Sequence, residues 1–252
     1  MTTPLVSLSV VSHGHGAILE QLLQSIARHC RGDLELIITV NVPETLPDLG
    51  GFPIPLRLIA NAAPRGFGAN HNAAFRLAQG EYFCALNPDI RLTGDPFPEL
   101  IARLQASPRP GVIAPRVVAP AGELEDSARP FPTPFSILAK ALGNNPDRDW
   151  LRSRIGEESL AVDWVAGMFM LFPRAVFAEL GGFDEAYFLY YEDVDLCSRL
   201  QAMGRDVRVC GAVSVIHDAR RESHRNFRYL RWHLTSMLRF FVSHRLRQRR
   251  SP

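Results

Sequence analysis

The chain is almost without lysine. Lys140 is the only one in 252 residues, so the positive charge rests on arginine. Arginine suits planar, two-pronged recognition of phosphate and carboxylate better than a lysine point charge does. Cysteine is sparse as well. Cys30, Cys84, Cys197 and Cys210 lie far apart in apolar or helical contexts and form no CxxC pair. That argues against a disulfide framework or a zinc site, and for buried free thiols in a reducing compartment. No uncharged apolar run reaches the length of about 18 residues that a transmembrane helix needs. Met1-Thr2-Thr3-Pro4 lacks the charged start and apolar stretch of a secretory leader, so none is expected. After the first apolar run the sequence reads His13-Gly14-His15-Gly16 and not G-x-G-x-x-G, which argues against a dinucleotide-dependent oxidoreductase. Internal repeats, low-complexity segments and nucleic-acid-binding motifs are missing too, so a nucleic-acid partner is not expected.

What is present suits a globular protein. Hydrophobic residues make up 46% and charged residues 21%, enough for a sizeable core. Leu5–Ser12 reads as a buried strand, and Ile18, Leu19, Leu22, Leu23 and Ile26 recur at helical spacing up to about Cys30. Strands follow at Leu34–Val42 and Leu56–Ala60, separated by the proline-rich loop Pro43–Pro55. A helix over Phe67–Gln79 leads to a strand at Glu81–Leu86. This order predicts an α/β fold with a mostly parallel central sheet and helices on its faces. Beyond it come a helix from about Pro96 to Ala106, a strand at Gly111–Val118 and a hairpin or long loop at Pro120–Pro134 of the kind that shapes a substrate cleft. Ser136–Arg154 is weakly helical. Val162–Phe172 is strand-like with Gly167 as a kink or close-approach point, and Pro173–Leu180 is a short helix ended by Gly181-Gly182. Glu192–Met203 is a helix, Val207–Ile216 supplies the last strand, and a basic amphipathic helix fits from Asn226 onward.

Asn87-Pro88-Asp89 places a carboxylate where the strand Glu81–Leu86 ends, at the edge where open α/β sheets bind ligands. A diphosphate leaving group gathers negative charge as its bond breaks. A divalent cation offsets that charge, and a carboxylate must hold the cation. Asp89 is the candidate, although Asn-Pro-Asp is also good turn chemistry. Upstream, Asn61 through Ala74 sets small residues and amides at a strand-to-helix junction around Arg65, Gly66, Gly68 and Asn70. Backbone N–H groups at such a junction can approach a nucleotide phosphate or base. Glu192, Asp193 and Asp195 form a second acidic cluster, and acids at a helix start are also favoured by the helix dipole alone.

These motifs together resemble the family 2 glycosyltransferases of the GT-A fold, a Rossmann-like fold of nucleotide-diphospho-sugar transferases. Within the family they are similar to a rhamnosyltransferase-like branch that builds bacterial cell-surface polysaccharides. The resemblance rests on N-x(4)-GFGAN-x-N-x(7)-G-x-Y-x(4)-NPD from Asn61 to Asp89, and on Ala166–Leu171, Gly181-Gly182-Phe183-Asp184-Glu185 and Tyr191–Leu196. The strand ending Val10-Val11-Ser12 and the late His217 also match. It implies Asp89 as the last acid of a metal-binding DxD motif, with Asn87 in place of the first, and Mg2+ or Mn2+ as the ion. It implies Asp193 as general base on the acceptor hydroxyl with Glu192 beside it, His217 as completing the metal shell, and Ser12 and Asn70 as nucleotide contacts. Two departures stand out. Relatives often carry an Asp near the end of the second strand to bind the base or ribose, where this chain has Asn41, which can still hydrogen-bond the nucleotide. The first loop carries His13 and His15, which read better as lining a nucleotide than as binding metal.

The resemblance implies an inverting, metal-dependent transfer of a sugar, such as rhamnose or another deoxyhexose, from a nucleotide-diphosphate donor to a glycan or lipid-linked acceptor. The alternative is a non-catalytic sugar-nucleotide-binding or scaffold protein with the same fold. Residues 1–220 are expected to form the GT-A domain, and 221–252 a basic amphipathic C-terminal helix or tail. Arg220, Arg221, Arg225, Arg228, Arg231, Arg239, Arg245, Arg247, Arg249 and Arg250 crowd that end. Such a helix either lies on an anionic membrane or packs on the domain with a solvated charged face. The expected location is cytoplasmic, with peripheral contact at the inner face of the cell membrane.

Overall fold

A computed structural model describes residues 4–143, 150–151, 154, 158–218 and 227–248. Arg220, Arg221, Arg225, Arg249 and Arg250 of the basic tail, and most of 144–157, lie outside the described residues. The N-terminal half runs β1 (Val6–Ser12), α1 (Gly16–His29), β2 (Leu34–Val40), β3 (Leu56–Ala60), α2 (Phe67–Phe75) and β4 (Tyr82–Leu86). It continues through β5 (Ile90–Leu92), α3 (Phe97–Ala106), β6 (Pro110–Val118), β7 (Ala128–Arg129) and α4 (Pro134–Ala141). The C-terminal part adds β8 (Ser159–Ala161), β9 (Trp164–Val165), β10 (Phe169–Pro173), α5 (Arg174–Leu180), α6 (Glu192–Ala202), β11 (Asp206–His217) and α7 (Phe227–Gln248).

The main sheet has the order β3-β2-β1-β4-β10-β6-β11-β5, with β8 paired to β11. From β3 to β4 it is parallel, as the alternation of strands and helices predicts. Beyond β4 it becomes mixed. β10 enters antiparallel between β4 and β6, while β6 and β11 run parallel to each other. The apolar run Val162–Phe172 is not one strand. It divides into β9, which pairs with β7 in a small second sheet, and β10 in the main sheet. Residues 166–168 carry the chain from one sheet to the other, so Gly167 marks the turn.

Near-continuous apolar strands need cover on both faces. Leu19, Leu22, Leu23 and Ile26 of α1 and Leu100, Ile101 and Leu104 of α3 bury one face with Leu8, Val10 and Leu86. Phe83, Phe172, Phe177 and Phe183 fill the other. Ring centroids there lie 4.8 Å (Phe83–Phe177) and 5.7 Å (Phe177–Phe183) apart, within the range at which aromatic rings attract. All four cysteines are buried free thiols. α7 packs on this second core through Phe240, which is fully buried, and through the Arg247–Asp195 ion pair at 2.7 Å.

Candidate active site

The sheet brings the first strands' carboxyl ends together, and amides stitch the loops that follow. Asn41 stands just past β2, with its backbone N–H bonded to Ser12 at 2.8 Å. Its side-chain Oδ1 accepts from Arg65 N at 2.8 Å and Asn61 Nδ2 at 2.8 Å, and its Nδ2 donates to the Arg65 carbonyl at 3.0 Å. Asn61 Nδ2 also reaches Asn70 Oδ1 at 2.7 Å, and Asn70 Nδ2 closes on Arg65 O at 3.2 Å. One buried asparagine thus joins the β1, β2 and β3 loops. An aspartate there would lack the two N–H donors that Asn41 supplies to Arg65 O and His13 Nδ1.

Ser12 is buried, and its hydroxyl donates to Glu44 Oε2 at 2.9 Å. The other oxygen of Glu44 accepts from Gly14 N at 3.0 Å, which shapes the His13-Gly14-His15 loop. Nothing in the sequence marks Glu44, because its partners lie about 30 residues away. His13 and His15 do not converge as a pair of ligands, since His15 Nδ1 accepts from the His13 backbone at 3.2 Å. Gly66 and Gly68 have a packing reason to be glycine. A Cβ on Gly66 would lie 2.7 Å from the Phe188 carbonyl oxygen, and one on Gly68 would lie 2.5 Å from Phe183 Cβ. Phe67 N, at the start of α2, donates to Phe188 O at 3.0 Å. The expectation that this helix start leaves its N–H groups to a phosphate thus meets protein at Phe67.

Asp89 follows β4 in a turn closed by Ile90 N to Asn87 O at 3.3 Å. Its Oδ2 lies 3.2 Å from His217 Nε2, at the end of β11. The other imidazole nitrogen, Nδ1, lies 2.6 Å from Glu125 Oε2 in the Pro120–Pro134 hairpin. Burial would lower the His217 pKa, but hydrogen bonding and charge from Asp89 and Glu125 outweigh it and push it up to about 9. Glu125 is a residue that sequence reasoning missed. The Gly122 turn that pairs Val118 with Leu124, and the bond from Glu125 N to Val117 O at 2.9 Å, position it. Asp89 Oδ1 is buried with no partner.

The second acidic cluster begins α6. Asp193 Oδ2 accepts from Gly167 N at 2.9 Å, and Oδ1 from Val194 N at 2.8 Å. Burial raises its pKa, against the pull of those two N–H groups and the Arg129 guanidinium. Glu192 is buried, and its Oε2 has no partner. Burial, then the charge of Asp193, hold its pKa well above the usual carboxylate range. Two neighbouring buried carboxyls raised in this way resist being ionised together, and the Gly167 and Val194 N–H groups and Arg129 favour the charge on Asp193 over Glu192. Asp195 differs in kind. It is nearly fully buried and bonded to Arg199 at 2.8 Å and Arg247 at 2.7 Å, which ties α6 to α7.

Both acidic clusters hang from residues 166–168. Ala166 N donates to Ser127 O of the hairpin at 2.8 Å, Gly167 N to Asp193, and Met168 O accepts from Asn87 N at 2.9 Å. Three consecutive residues therefore hold the hairpin, the candidate base and the turn of the candidate metal ligand in register.

Comparison with known proteins decides the family. The profile described as glycosyl transferase family 2 matches residues 7–180. The chain belongs to glycosyl transferase family 2. It is a glycosyltransferase of this family, and a family 21 profile also matches residues 149–244. Rhamnosyltransferase WbbL of Escherichia coli K12 is 30% identical over 262 residues, spanning 98% of this chain and 96% of that protein. The N-acetylglucosaminyl-diphospho-decaprenol L-rhamnosyltransferase of Mycobacterium tuberculosis is 26% identical, over 80% of this chain and 72% of that one. A solved structure of GalNAc-T7 with UDP, GalNAc and Mn2+ superposes with a TM-score of 0.65 at 15% identity, which establishes the GT-A fold. The family 2 chain covers 88% of its own length in that match and 44% of the other's.

The fit of a divalent cation can be judged from the residues present. Among the described residues, no group of three or more His, Cys, Asp and Glu side chains is placed to hold a metal ion. A sugar-nucleotide metal does not need one, because Mg2+ characteristically takes one or two carboxylates and completes its shell with phosphate oxygens and water. The buried, unpartnered Asp89 Oδ1 is an acceptor awaiting a cation or donor. Glu125 on Nδ1 holds His217 in the tautomer that leaves Nε2 free to ligate once its proton is lost. The residues fit the ion.

Proposed function

We propose that this family 2 glycosyltransferase transfers a deoxyhexose, with rhamnose the leading candidate, from a nucleotide-diphosphate donor to a lipid-linked glycan in cell-surface polysaccharide synthesis. The observation that carries the reading is the shared anchorage of Asn87 and Asp193 on residues 166–168, which sets a diphosphate-side carboxylate and a base on one scaffold. The two rhamnosyltransferases among its relatives support the sugar and, for the mycobacterial protein, the diphospho-lipid acceptor.

Asp193 takes the proton of the acceptor hydroxyl while that oxygen attacks the anomeric carbon and the bond to the diphosphate breaks on the opposite face. The product has inverted configuration, and the proton leaves on Asp193. A positioned base of this type contributes about 10²–10⁴-fold. Burial and the charge of Asp193 raise the Glu192 pKa more strongly, which favours the negative charge on Asp193. Asp89, with His217 and its Glu125 support, would hold Mg2+ or Mn2+, which when bound offsets the charge gathering on the diphosphate. Asn41, Asn61 and Asn70 preshape the loops that receive the nucleotide, with Ser12, Arg65, Gly66 and Asn87 lining the same edge.

Among the described residues, no helix is long and apolar enough to cross a membrane. α7 offers a different contact. Phe227, Leu230, Leu234, Leu238 and Val242 are exposed along it at helical spacing, flanked by Arg228, Arg231 and Arg245, and no acidic residue occurs from 227 to 248. That pattern suits an anionic bilayer surface, where the acceptor lipid resides.

A thermal-shift panel of nucleotide-diphosphate sugars with and without Mn2+, paired with transfer assays of Asp193→Asn, tests the reading. One donor should raise the melting point only with the ion present, and Asp193→Asn should bind that donor yet lose about 10²–10⁴-fold in turnover. Full turnover by the variant would remove the mechanism. A wild type that binds donor and never transfers would favour the scaffold alternative.

A further inference from the structure

Tyr190 and Tyr191 have φ of 69° and 65°, and among the described residues they are the only non-glycine residues in the left-handed region. Such a conformation is strained for a bulky side chain. Here two occur in succession, directly before Glu192 and Asp193. The direction of the first turn of α6, and with it the aim of the Asp193 carboxylate, depends on this pair staying in place. Something must hold it.

The hold comes from one face of α7. The His233 ring sits edge-on to both tyrosines, with centroids 5.4 Å from Tyr190 and 5.4 Å from Tyr191. Phe240, fully buried, lies 5.7 Å from the Tyr191 ring. Ser236 Oγ donates to the Leu189 carbonyl at 3.0 Å, which fixes the chain one residue before the strained pair. Beyond the base, Arg247 grips Asp195 at 2.7 Å. Residues 233, 236, 240 and 247 thus share a helical face and grip the backbone or side chains on both sides of Glu192-Asp193. The apolar side chains from Phe227 to Val242 occupy a different face, so this grip is independent of them.

We propose that α7 is a strap that aims the base, and that His233 is its central positioning residue. The proposal rests on the reading of Asp193 as base. His233 touches no reacting atom. It acts by keeping Tyr190 and Tyr191 left-handed, which keeps Asp193 on the Gly167 N–H and facing the acceptor. Removing it lets the pair relax and swings the carboxylate away, while the amide network around Asn41 stays as it is.

The test uses the full chain carrying His233→Ala, alone and combined with Tyr190→Asn, because asparagine tolerates the left-handed region far better than tyrosine. Two measurements are made: amide hydrogen exchange by mass spectrometry, and kcat and KM with the donor selected by the panel above. In His233→Ala, exchange should quicken roughly tenfold across 189–196, while segments around Asn41 and Asn70 are unchanged. kcat should fall about tenfold or more, with donor KM within about twofold. Tyr190→Asn in the same background should restore part of both. Wild-type exchange and kcat in His233→Ala would overturn the strap. So would a general quickening of exchange along the chain, which marks a merely structural prop, or a double variant no better than the single. Asp193→Asn run alongside separates the two ideas. If it stays active, the base reading fails while exchange at 189–196 still judges the strap. If it is inactive and His233→Ala is normal, only the strap fails.

Discussion

Around Asn41, buried amides bond to one another and to the backbone until each side chain has a protein partner. Around Glu192 and Asp89, a carboxyl oxygen in each side chain lies buried with none. The two sides of the candidate site are built to different ends. The Asn41 amide network is already bonded within the protein, so on the proposed reading the loops it ties need little ordering when a nucleotide binds. The acid side keeps unmet demand and a strained approach, as expected where local rules yield to chemistry. Three substitutions sharpen or break this contrast.

The largest expected effect is on the acid side's outer fastening. Asp195→Ala leaves Arg199 and Arg247 without their shared buried partner, and breaking such a pair costs about 3–5 kcal/mol. The melting point should drop by roughly 10 °C. A drop of a degree or two would mean that Asp195 does not fasten α7 to α6.

His217 gives an effect that depends on pH. Its folded pKa, raised to about 9, lies above the ordinary 6.5, so its contribution is complete below pH 6.5 and disappears as pH rises through about 9. His217→Gln should therefore cost about 3 kcal/mol in metal-free buffer at low pH and progressively less in alkali. Denaturant titrations across that range measure it. A cost that is flat or grows with pH would contradict the double carboxylate clamp on this ring.

The smallest effect is expected on the finished side. Asn41→Ala opens the bonds to Arg65, Asn61 and His13, leaving buried partners unmet at about 1–3 kcal/mol. Donor KM should rise while kcat holds. If kcat falls instead with KM unchanged, the division of labour between the two sides is wrong.

Sequence alone reaches different depths in different places. The parallel strands β1 to β4 are legible to within a residue or two, because continuous apolar runs, glycine stops and helical spacing all agree. The far half is less so. Nothing local tells β10 to enter antiparallel between β4 and β6, since Val162–Phe172 looks like one strand until the sheets divide it at Gly167. β5, only Ile90–Leu92, is too short to carry a period. The candidate acids stand out through motif spacing, and the structure places them on shared scaffolding. Their supports do not stand out. Glu44, Glu125 and His233 act across large sequence separations, and a lone Glu or His carries no pattern. Asp195 looks like its neighbours in the acidic run, and only burial and two arginines distinguish it.

The turn at Ala166-Gly167-Met168 has a practical consequence for anyone remodelling this enzyme. Its three successive residues serve three different clients, and Gly167 is tightly packed, since a Cβ there would lie 3.0 Å from the Phe67 ring, which would have to give way. Insertions and deletions should therefore be tolerated in the Gly122 hairpin tip and scarcely at all between β9 and β10. A chimera that swaps specificity loops from a relative should carry this tripeptide over with both neighbours, as a single cassette.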